Sequence, residues 1–257
     1  MLNPKKLNIQ VLNLRRSPQR WDFVSTHLAE QGLKCNRVEA IDGQYLPAKE
    51  IAQNYDAPAN KKHYFWPLKP SEIGCYMSHR IALSTFVNDT GSDILLLLED
   101  DVEAHIELSR DIEEWLRVVD TPLPTMLKLF TKRAVTGSVV TSVAGIKIRR
   151  PNRIPLGCQA QLINKPAAIK LLAFSAPFDK PIDVDYQLWW RHGVDVLCTE
   201  ISLFNEVSNQ LGGSSIAGSG NLSIGKKIKR ELGRTWFRTK LTLTSRLYRL
   251  IKKPEQG

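Results

Sequence analysis

The chain has 257 residues, of which 42% are hydrophobic and 8% aromatic, and it carries a net charge of +10. This length and apolar content allow one large domain or two small ones with a real core, and they exclude an intrinsically disordered chain. The longest apolar run, residues 94–98, is far shorter than the ~20 residues of a transmembrane helix. The amino-terminal segment has no apolar signal core, so we expect no secretory signal peptide.

The positive charge is concentrated at one end of the chain. Residues 226–257 contain eleven lysines and arginines and two glutamates, a net +9, so residues 1–225 carry only +1. This basic end has no DNA- or RNA-reading motif, and nucleic acid is therefore not an expected partner. The four cysteines are far apart and form no C-x-x-C pair. They predict reduced structural thiols in a cytoplasmic protein rather than a zinc site or a disulfide framework.

The first part of the chain shows a strand–helix–strand pattern. Residues 7–14 predict a strand, and a helix with Ser17 as N-cap follows and ends at Gly32. Residues 37–41 predict a second strand, which completes the building block of a parallel sheet. Residues 46–70 contain four prolines and predict a surface loop.

The rest of the chain continues this alternation. Residues 71–92 predict a helix capped by Ser71, and residues 93–98 predict a strand that is buried on both faces. The remaining patterns predict an amphipathic helix over 102–119, a strand over 125–130, hairpin strands within 134–155, a helix over 165–175, a strand over 194–204 and a flexible glycine–serine stretch over 212–221.

This order predicts an α/β fold with a mostly parallel sheet flanked by helices. We expect residues 1–220 to form the main domain and residues 221–257 a basic amphipathic tail. Ligands bind at the carboxyl ends of the strands in such sheets. Glu99, Asp100 and Asp101 follow the most apolar strand, so they are expected at the ligand-binding edge.

Two interpretations of these three carboxylates are open. Asp100 and Glu103 have the D-x-x-E spacing of a capping box before a helix. Alternatively, a divalent cation offsets the repulsion between the acids and holds a diphosphate, since Mg²⁺ and Mn²⁺ prefer carboxylate oxygens. Both interpretations hold if one acid caps the helix while another binds the metal.

Several sequence blocks occur in a specific order and resemble glycosyltransferase family 25. The blocks are N-L-x-x-x-x-x-R at Asn13, Leu14 and Arg20; A-x-D-G at Ala40, Asp42 and Gly43; G-C-x-x-S-H at Gly74, Cys75, Ser78 and His79; L-E-D-D at residues 98–101; a G-x-x-A segment from Gly157; and a P-x-D block ending at Asp183. The resemblance covers roughly residues 7–210. Gln161 departs from it, because the family usually has tyrosine there, and this change is expected to alter the acceptor or sugar pocket.

The resemblance implies a GT-A-like, Rossmann-related fold. It also implies an inverting, metal-dependent transfer of a sugar, most often galactose from UDP-galactose, to a lipooligosaccharide or lipopolysaccharide acceptor. The expected cofactor is Mn²⁺ or Mg²⁺, and the expected partners are a nucleotide-sugar donor and a lipid-linked oligosaccharide.

The candidate site residues fall into three groups. For the metal we assign Asp101, helped by Glu99. For the general base that takes the acceptor proton we assign Asp183 first and Asp185 second. The residues assigned to the donor are Arg15, Arg20, Asp42, Ser78, His79, Glu99 and Asp100. Each has a plain structural alternative, such as an exposed helix-start arginine, a packed histidine, a turn aspartate or a helix cap.

The basic tail predicts an amphipathic helix. Ile228, Leu232, Trp236, Leu243, Leu247 and Ile251 lie near one face, and basic residues cover the others. Such a helix suits the surface of an anionic bilayer, with Trp236 and Phe237 as anchors. The expected location is therefore cytoplasmic, peripheral on the inner face of the inner membrane; the alternative is a terminal helix packed on its own domain. For the whole chain, the alternative is a catalytically silent glycan- or membrane-binding protein.

Overall fold

A computed structural model describes residues 6–213 and 223–251. Its strands are β1 (Leu7–Leu14), β2 (Asn36–Ala40), β3 (Ile94–Glu99), β4 (Val102–Ala104), β5 (Thr125–Lys128), β6 (Gly137–Val143), β7 (Ile146–Pro151), β8 (Ala160–Asn164), β9 (Asp195–Thr199) and β10 (Phe204–Glu206). Eight of these described strands form one sheet in the order β2-β1-β3-β8-β5-β9-β7-β6, and β4 pairs with β10 separately. Only β7 and β8 run against the other six, so the predicted mostly parallel sheet is confirmed.

Helices cover both faces of this sheet. They are α1 (Pro18–Glu30), α2 (Ala48–Asn54), α3 (Ala57–His63), α4 (Pro70–Asn88), α5 (Ile112–Val119), α6 (Lys165–Phe174), α7 (Ile182–Asp185), α8 (Trp189–His192) and α9 (Ile224–Ile251), with a short 3₁₀ turn at Gly43–Tyr45. One apolar core lies under α1 and α5, and a second lies under α4 and α6. This is the predicted α/β sandwich.

The first strand–helix–strand unit forms as its sequence predicts. β1 and β2 pair in parallel, and Pro18 occupies the first turn of α1, where its missing N–H costs nothing. Gly32 lies at φ +70° just after the helix, a conformation that glycine adopts without strain. These local signals return the chain to the sheet edge and leave Arg20 buried at the start of α1.

The leucine strand β3 lies inside the sheet, between β1 and β8. Leu95, Leu97 and Leu98 are completely buried because helices cover both faces of the sheet here. The strand is therefore held rigidly, and its carboxyl end presents Glu99 at the same edge as Leu14 and Ala40, the last residues of β1 and β2.

The helix predicted over residues 102–119 is wrong in its first half. Residues 102–104 form β4, which pairs antiparallel with β10, and the helix α5 begins only at Ile112. Val102 and Ala104 are buried while Glu103 between them is half-buried, the alternation of a strand. No helix follows Asp100 directly, so the capping-box interpretation of Asp100 and Glu103 is wrong as well.

Two further local predictions need correction. The predicted loop over residues 46–70 contains α2 and α3, and Asp56 caps α3 by accepting a hydrogen bond from the Ala59 N–H at 2.8 Å. Ser71 lies inside α4 rather than at its cap, because the helix already starts at Pro70. Most of the glycine–serine stretch predicted as flexible lies outside the described residues.

The long basic helix α9 packs on the body of the protein. Phe237 is buried and contacts Tyr64 edge-on, with ring centroids 5.1 Å apart. Further along, the Trp189 indole N–H donates to the Ser245 hydroxyl at 3.0 Å. Among the described residues, no helix is both long enough and apolar enough to cross a membrane.

Candidate active site

A cavity of about 150 Å³ opens at the carboxyl ends of β1, β2 and β3. This is the edge at which α/β sheets bind their ligands. Seven of the residues that the sequence predicted line it: Arg20, Asp42, Ser78, His79, Glu99, Asp100 and Asp101.

Hydrogen bonds from the body hold the carboxylate cluster in place. The Asn13 side-chain amide donates to Asp100 Oδ2 at 2.6 Å, and Arg20 Nη1 donates to Asp100 Oδ1 at 3.0 Å. Arg20 is nearly buried and also donates to the backbone carbonyls of Leu211 and Gly213. Three of its five N–H donors are therefore used by protein acceptors, and it orients Asp100.

The negative charge of Asp101 is compensated much more weakly by neighbouring groups. Its Oδ2 lies 3.7 Å from Arg20 Nη1, and its buried Oδ1 has no hydrogen-bond partner among the described residues. Burial raises the pKa of Asp101 well above its usual range, and the charges of Glu99 and Asp100 raise it further. Asp100 and Asp101 thus share one guanidinium, with a third carboxylate, Glu99, adding to the repulsion, and a bound cation would supply the missing positive charge.

The donor atoms available here fit a hard divalent cation. Asp101 Oδ1 is an orphaned buried oxygen, Glu99 lies beside it in the chain, and both carboxylates line the cavity. Mg²⁺ and Mn²⁺ commonly use one or two protein carboxylates together with substrate phosphates. Asp101 and Glu99, the ligands predicted from the sequence, are therefore the residues that would hold the ion.

Glu99 also belongs to a second possible ligand set. Among the described residues, one group of three, Cys75, His79 and Glu99, places its ligand atoms within 4.8 Å of one another. His79 is fully buried, and its Nε2 lies 3.3 Å from Glu99 Oε1. Burial raises the pKa of the Cys75 thiol far above its usual value, and thiolate is a softer ligand than Mg²⁺ and Mn²⁺ prefer. The packed His79 instead fixes the orientation of Glu99.

The A-x-D-G and G-C-x-x-S-H blocks meet through two glycines. A Cβ on Gly43 would lie 1.8 Å from the Pro70 carbonyl oxygen, and one on Gly74 would lie 2.6 Å from the Ile41 oxygen. The Ser78 hydroxyl accepts a hydrogen bond from the Ile41 N–H at 2.8 Å and donates to the Gly74 carbonyl at 2.7 Å. Its proton is thus used inside the protein, and Ser78 positions the loop that carries Asp42.

Replacing Gly74 with alanine should open this contact. The added methyl meets backbone atoms that cannot rotate away, and such overpacking costs about 1–3 kcal/mol. Thermal unfolding of Gly74→Ala is expected to show this loss, together with weaker nucleotide binding. Gly91→Ala is the matched control, since its Cβ would meet only one side-chain oxygen at 3.2 Å. Equal stability of the two variants would contradict this role for Gly74.

The two candidate bases lie in different surroundings, and neither lines the first cavity. Asp183 is half-buried, accepts a hydrogen bond from the Gly157 N–H at 3.1 Å, and lines a second cavity beside the first. Asp185 is buried and accepts a hydrogen bond from the Tyr76 hydroxyl at 2.8 Å. Burial raises the pKa of Asp185 to about 7. Asp183 is the base candidate that a substrate can reach.

Arg15 is exposed and does not line the cavity, whereas its neighbour Arg16 does. Arg16 Nε lies 2.5 Å from Asp42 Oδ2. The N-L-x-x-x-x-x-R block could not show which of these two arginines lines the cavity. Sequence reasoning also missed Gln159 and Glu206, which line the cavity from segments that are distant in the chain.

Gln161 does not lie in the wall of a pocket, where we expected it. It is fully buried within β8, and both of its side-chain polar atoms lack a partner among the described residues. It lines neither of the two cavities at this end of the sheet. The replacement of the family tyrosine is therefore a feature of the core, not of a pocket wall.

The mostly parallel α/β sheet with clustered acids at its carboxyl edge is the arrangement that the resemblance implied. The family model described as glycosyltransferase family 25 (LPS biosynthesis protein) matches residues 6–186. The chain belongs to this family.

Curated relatives match less than half of the chain. Procollagen galactosyltransferase 2 of Mus musculus is 29% identical over 119 residues, which cover 44% of this chain and 18% of that protein. Procollagen galactosyltransferase 1 of Danio rerio is 29% identical over 115 residues, which cover 42% of this chain and 18% of the relative. The matched segment thus spans under one fifth of each relative.

Among solved structures, a Drosophila galactosyltransferase 7 in complex with manganese, UDP-Gal and xylobiose gives a TM-score of 0.42 at 8% identity, covering 88% of this chain and 79% of that one. A glycosyltransferase involved in glycosylation of the major capsid of PBCV-1 gives 0.40 at 10% identity, covering 90% of this chain and 99% of that one.

Proposed function

We propose that this protein is an inverting, metal-dependent glycosyltransferase that moves galactose from UDP-galactose to a lipooligosaccharide or lipopolysaccharide acceptor. The observation that carries this proposal is the undercompensated carboxylate cluster at the ligand-binding edge of a family 25 chain. Membership of the family supports sugar transfer. The galactosyltransferase names of the relatives support galactose, and the family description supports a lipopolysaccharide acceptor.

The proposed reaction divides its tasks among residues of this chain. A divalent metal, when bound, would neutralise the charge that develops on the departing diphosphate. Asp101 and Glu99 would hold that ion, while Asn13 and Arg20 keep Asp100 oriented beside them. Asp42 and Arg16, paired at the mouth of the cavity, are placed to bond the nucleoside.

Inversion needs a base on the acceptor side of the sugar. Asp183 lies in the neighbouring cavity, and the Gly157 N–H holds its carboxylate. We assign it the acceptor proton. Asp185 stays a buried partner of Tyr76 in this mechanism.

A donor panel tests the proposed activity. Purified protein is incubated with UDP-galactose, UDP-glucose and UDP-N-acetylglucosamine, each with Mn²⁺, with Mg²⁺ or with a chelator, and release of UDP is measured. Release is expected to be fastest with UDP-galactose and to fall to background in the chelator. Equal release with and without metal, or none from any donor, would refute the proposal, and the second outcome would favour a silent binding protein.

The helix α9 supports attachment to the inner face of an anionic membrane. Leu232, Trp236 and Leu247 remain more than half exposed on one side of the helix while Phe237 and Leu241 on the opposite side are buried. Phe237 is therefore not a membrane anchor, in contrast to the prediction. An exposed apolar face flanked by lysines and arginines suits an anionic bilayer surface, where a lipid-linked acceptor would be found.

Removing that apolar face should release the protein from lipid. The triple variant Leu232→Ser, Trp236→Ser and Leu247→Ser is expected to bind phosphatidylglycerol vesicles at least about tenfold more weakly in a sedimentation assay, since burial of each such side chain contributes roughly 1.5–3 kcal/mol. The matched control replaces three exposed apolar residues elsewhere, Leu123, Ile169 and Ile201, with serine. Equal vesicle binding by both triple variants would contradict membrane attachment through α9.

A further inference from the structure

A second cavity, of about 350 Å³, lies between α9 and the body of the protein. Charges of both signs line it. Glu72 and Asp183 lie on the body side, where backbone N–H groups of Lys69 and Gly157 hold their carboxylates at 2.7 Å and 3.1 Å. Three arginines, which we call the arginine wall, also line it: Arg153 from the segment after β7, and Arg234 and Arg238 from α9.

The arginine wall carries uncompensated positive charge. Within residues 6–213 and 223–251, no carboxylate oxygen lies within 4.0 Å of the guanidinium of Arg153 or Arg238, and Arg234 pairs with Glu231 at 3.2 Å. Burial lowers the pKa of Arg153, and the charge of Arg238 lowers it further. Like charges that line the same cavity are stabilised by an anion bound between them.

Aromatic packing holds this wall in position. Phe237 lies between Arg234 and Arg238 in the sequence and packs on Tyr64 and Phe65, with ring centroids 5.1 Å and 5.9 Å apart. Gly233 also approaches Phe65 so closely that a Cβ would lie 2.9 Å from its side chain. The two α9 arginines are thus fixed against the body rather than carried on a free helix.

The second cavity adjoins the first cavity, to which we have assigned the donor. Ser71 and Gln159 line the first cavity. Glu72 and Leu156, which are close to them in the chain, line the second. Gly157, between Leu156 and Gln159, bonds the proposed base Asp183. A molecule in the second cavity would therefore place one end beside the donor and the base and its other end against the arginines.

We propose that the second cavity is the acceptor site and that Arg153, Arg234 and Arg238 bind an anionic group, a phosphate or a carboxylate, on the acceptor sugar. This inference rests on the proposed function, because it assigns the acceptor side of that reaction. The acids face the hydroxyl that reacts, and the arginines select acceptors that carry negative charge. Pairing with phosphate and with carboxylate is the chemistry for which guanidinium groups are best suited.

Equilibrium binding tests the site without relying on catalysis. Glucose 6-phosphate, glucuronate, glucose and inorganic phosphate are titrated by calorimetry into the full-length protein, the double variant Arg153→Gln, Arg238→Gln, and Arg246→Gln. Arg246 is an exposed arginine of α9 that does not line the cavity, so its variant controls for the loss of a positive charge outside the site, one charge against the two lost in the double variant. The wild type and Arg246→Gln are expected to bind a charged sugar at least tenfold more tightly than glucose, and the double variant should lose that preference.

The comparison of probes identifies the anion. Tighter binding of glucose 6-phosphate indicates a phosphate-bearing acceptor, and tighter binding of glucuronate indicates a carboxylate-bearing one. Equal affinity of the double variant and the wild type for both charged sugars would overturn the inference. Inorganic phosphate that binds as tightly as glucose 6-phosphate would also overturn it, since the site would then not recognise a sugar. Arg153→Gln alone, at an exposed position, provides a second variant if the double variant unfolds.

Donor hydrolysis by the wild-type protein is measured in parallel, because it needs no acceptor sugar. Hydrolysis without arginine-dependent sugar binding would leave the proposed function standing and overturn this inference. Arginine-dependent binding without hydrolysis or transfer of any donor would retain the anion site as a ligand site but overturn its assignment to an acceptor.

Discussion

Replacing Asp101 with asparagine is expected to lower metal-dependent sugar transfer by about 10²–10³-fold while leaving the fold intact. The reason is that Asp101 supplies an orphaned buried oxygen in a cluster of three carboxylates, two of which share one arginine. The amide keeps the shape of the side chain but loses the charge that would hold the ion against the diphosphate. Transfer is measured as UDP release from UDP-galactose in the presence of acceptor and Mn²⁺.

Thermal unfolding separates this effect from a folding defect. The neutral amide relieves repulsion from Glu99 and Asp100, so the metal-free Asp101→Asn variant is expected to have a Tm equal to or above that of the wild type. Mn²⁺ at about 100 times its Kd should stabilise the wild type by about 2.7 kcal/mol, and the variant should lose most of that gain. Glu103→Gln, two residues along on β4 and outside the cavity, is the control. Near-normal transfer by Asp101→Asn, or an unchanged response to Mn²⁺, would exclude Asp101 as a ligand.

Replacing Asp183 with asparagine is expected to reduce transfer to an acceptor by about 10²–10⁴-fold, the usual contribution of a general base. Asp183 lines the second cavity and accepts a hydrogen bond from the Gly157 N–H. The same loop carries Gln159, which lines the first cavity. Asparagine still accepts the Gly157 hydrogen bond, so the position of the side chain should be preserved. UDP binding, measured by calorimetry, should stay within a few-fold of the wild type, because Asp183 does not line the first cavity.

Asp185→Asn is the matched control for this variant. Asp185 is buried and bonded to Tyr76, and its replacement should change transfer by no more than a few-fold. Its pKa of about 7 lies above that of an unfolded aspartate, so the folded wild type loses stability as the pH rises through this value. The stability of Asp185→Asn relative to the wild type should therefore be greater at pH 8 than at pH 5. Loss of transfer in Asp185→Asn alone would reverse the assignment of the base.

The strands and their order along the chain could be predicted where the signal was local. β1 was predicted with its observed ends, and the leucine strand was predicted buried, because a strand with apolar residues on both faces fits only between two helical layers. The acids after it were correctly placed at the ligand-binding edge, since parallel strands end together. Seven of the predicted site residues meet there for that reason.

Predictions failed where two distant segments decide the local structure. Residues 102–104 form a strand because β10, about 100 residues later, pairs with them. The same pairing leaves Asp100 without a helix to cap and brings Glu206 to the first cavity. Adjacent residues also differ in their surroundings. Arg16 lines the first cavity while Arg15 does not, and Phe237 packs on the body while Trp236 is exposed to solvent.

The sequence by itself determined the alternating α/β order, the central strand that ends in acidic residues, and the amphipathic terminal helix. Its ordered blocks also determined the family. These features follow from short-range periodicity and turn chemistry, which the chain carries within a few residues. Only the tertiary structure decided which acid is uncompensated, which aspartate a substrate can reach, and which face of α9 is covered. Charge compensation, access and burial depend on groups from remote segments, as the cavity between residues 64–72, 153–156, 183 and 234–238 shows.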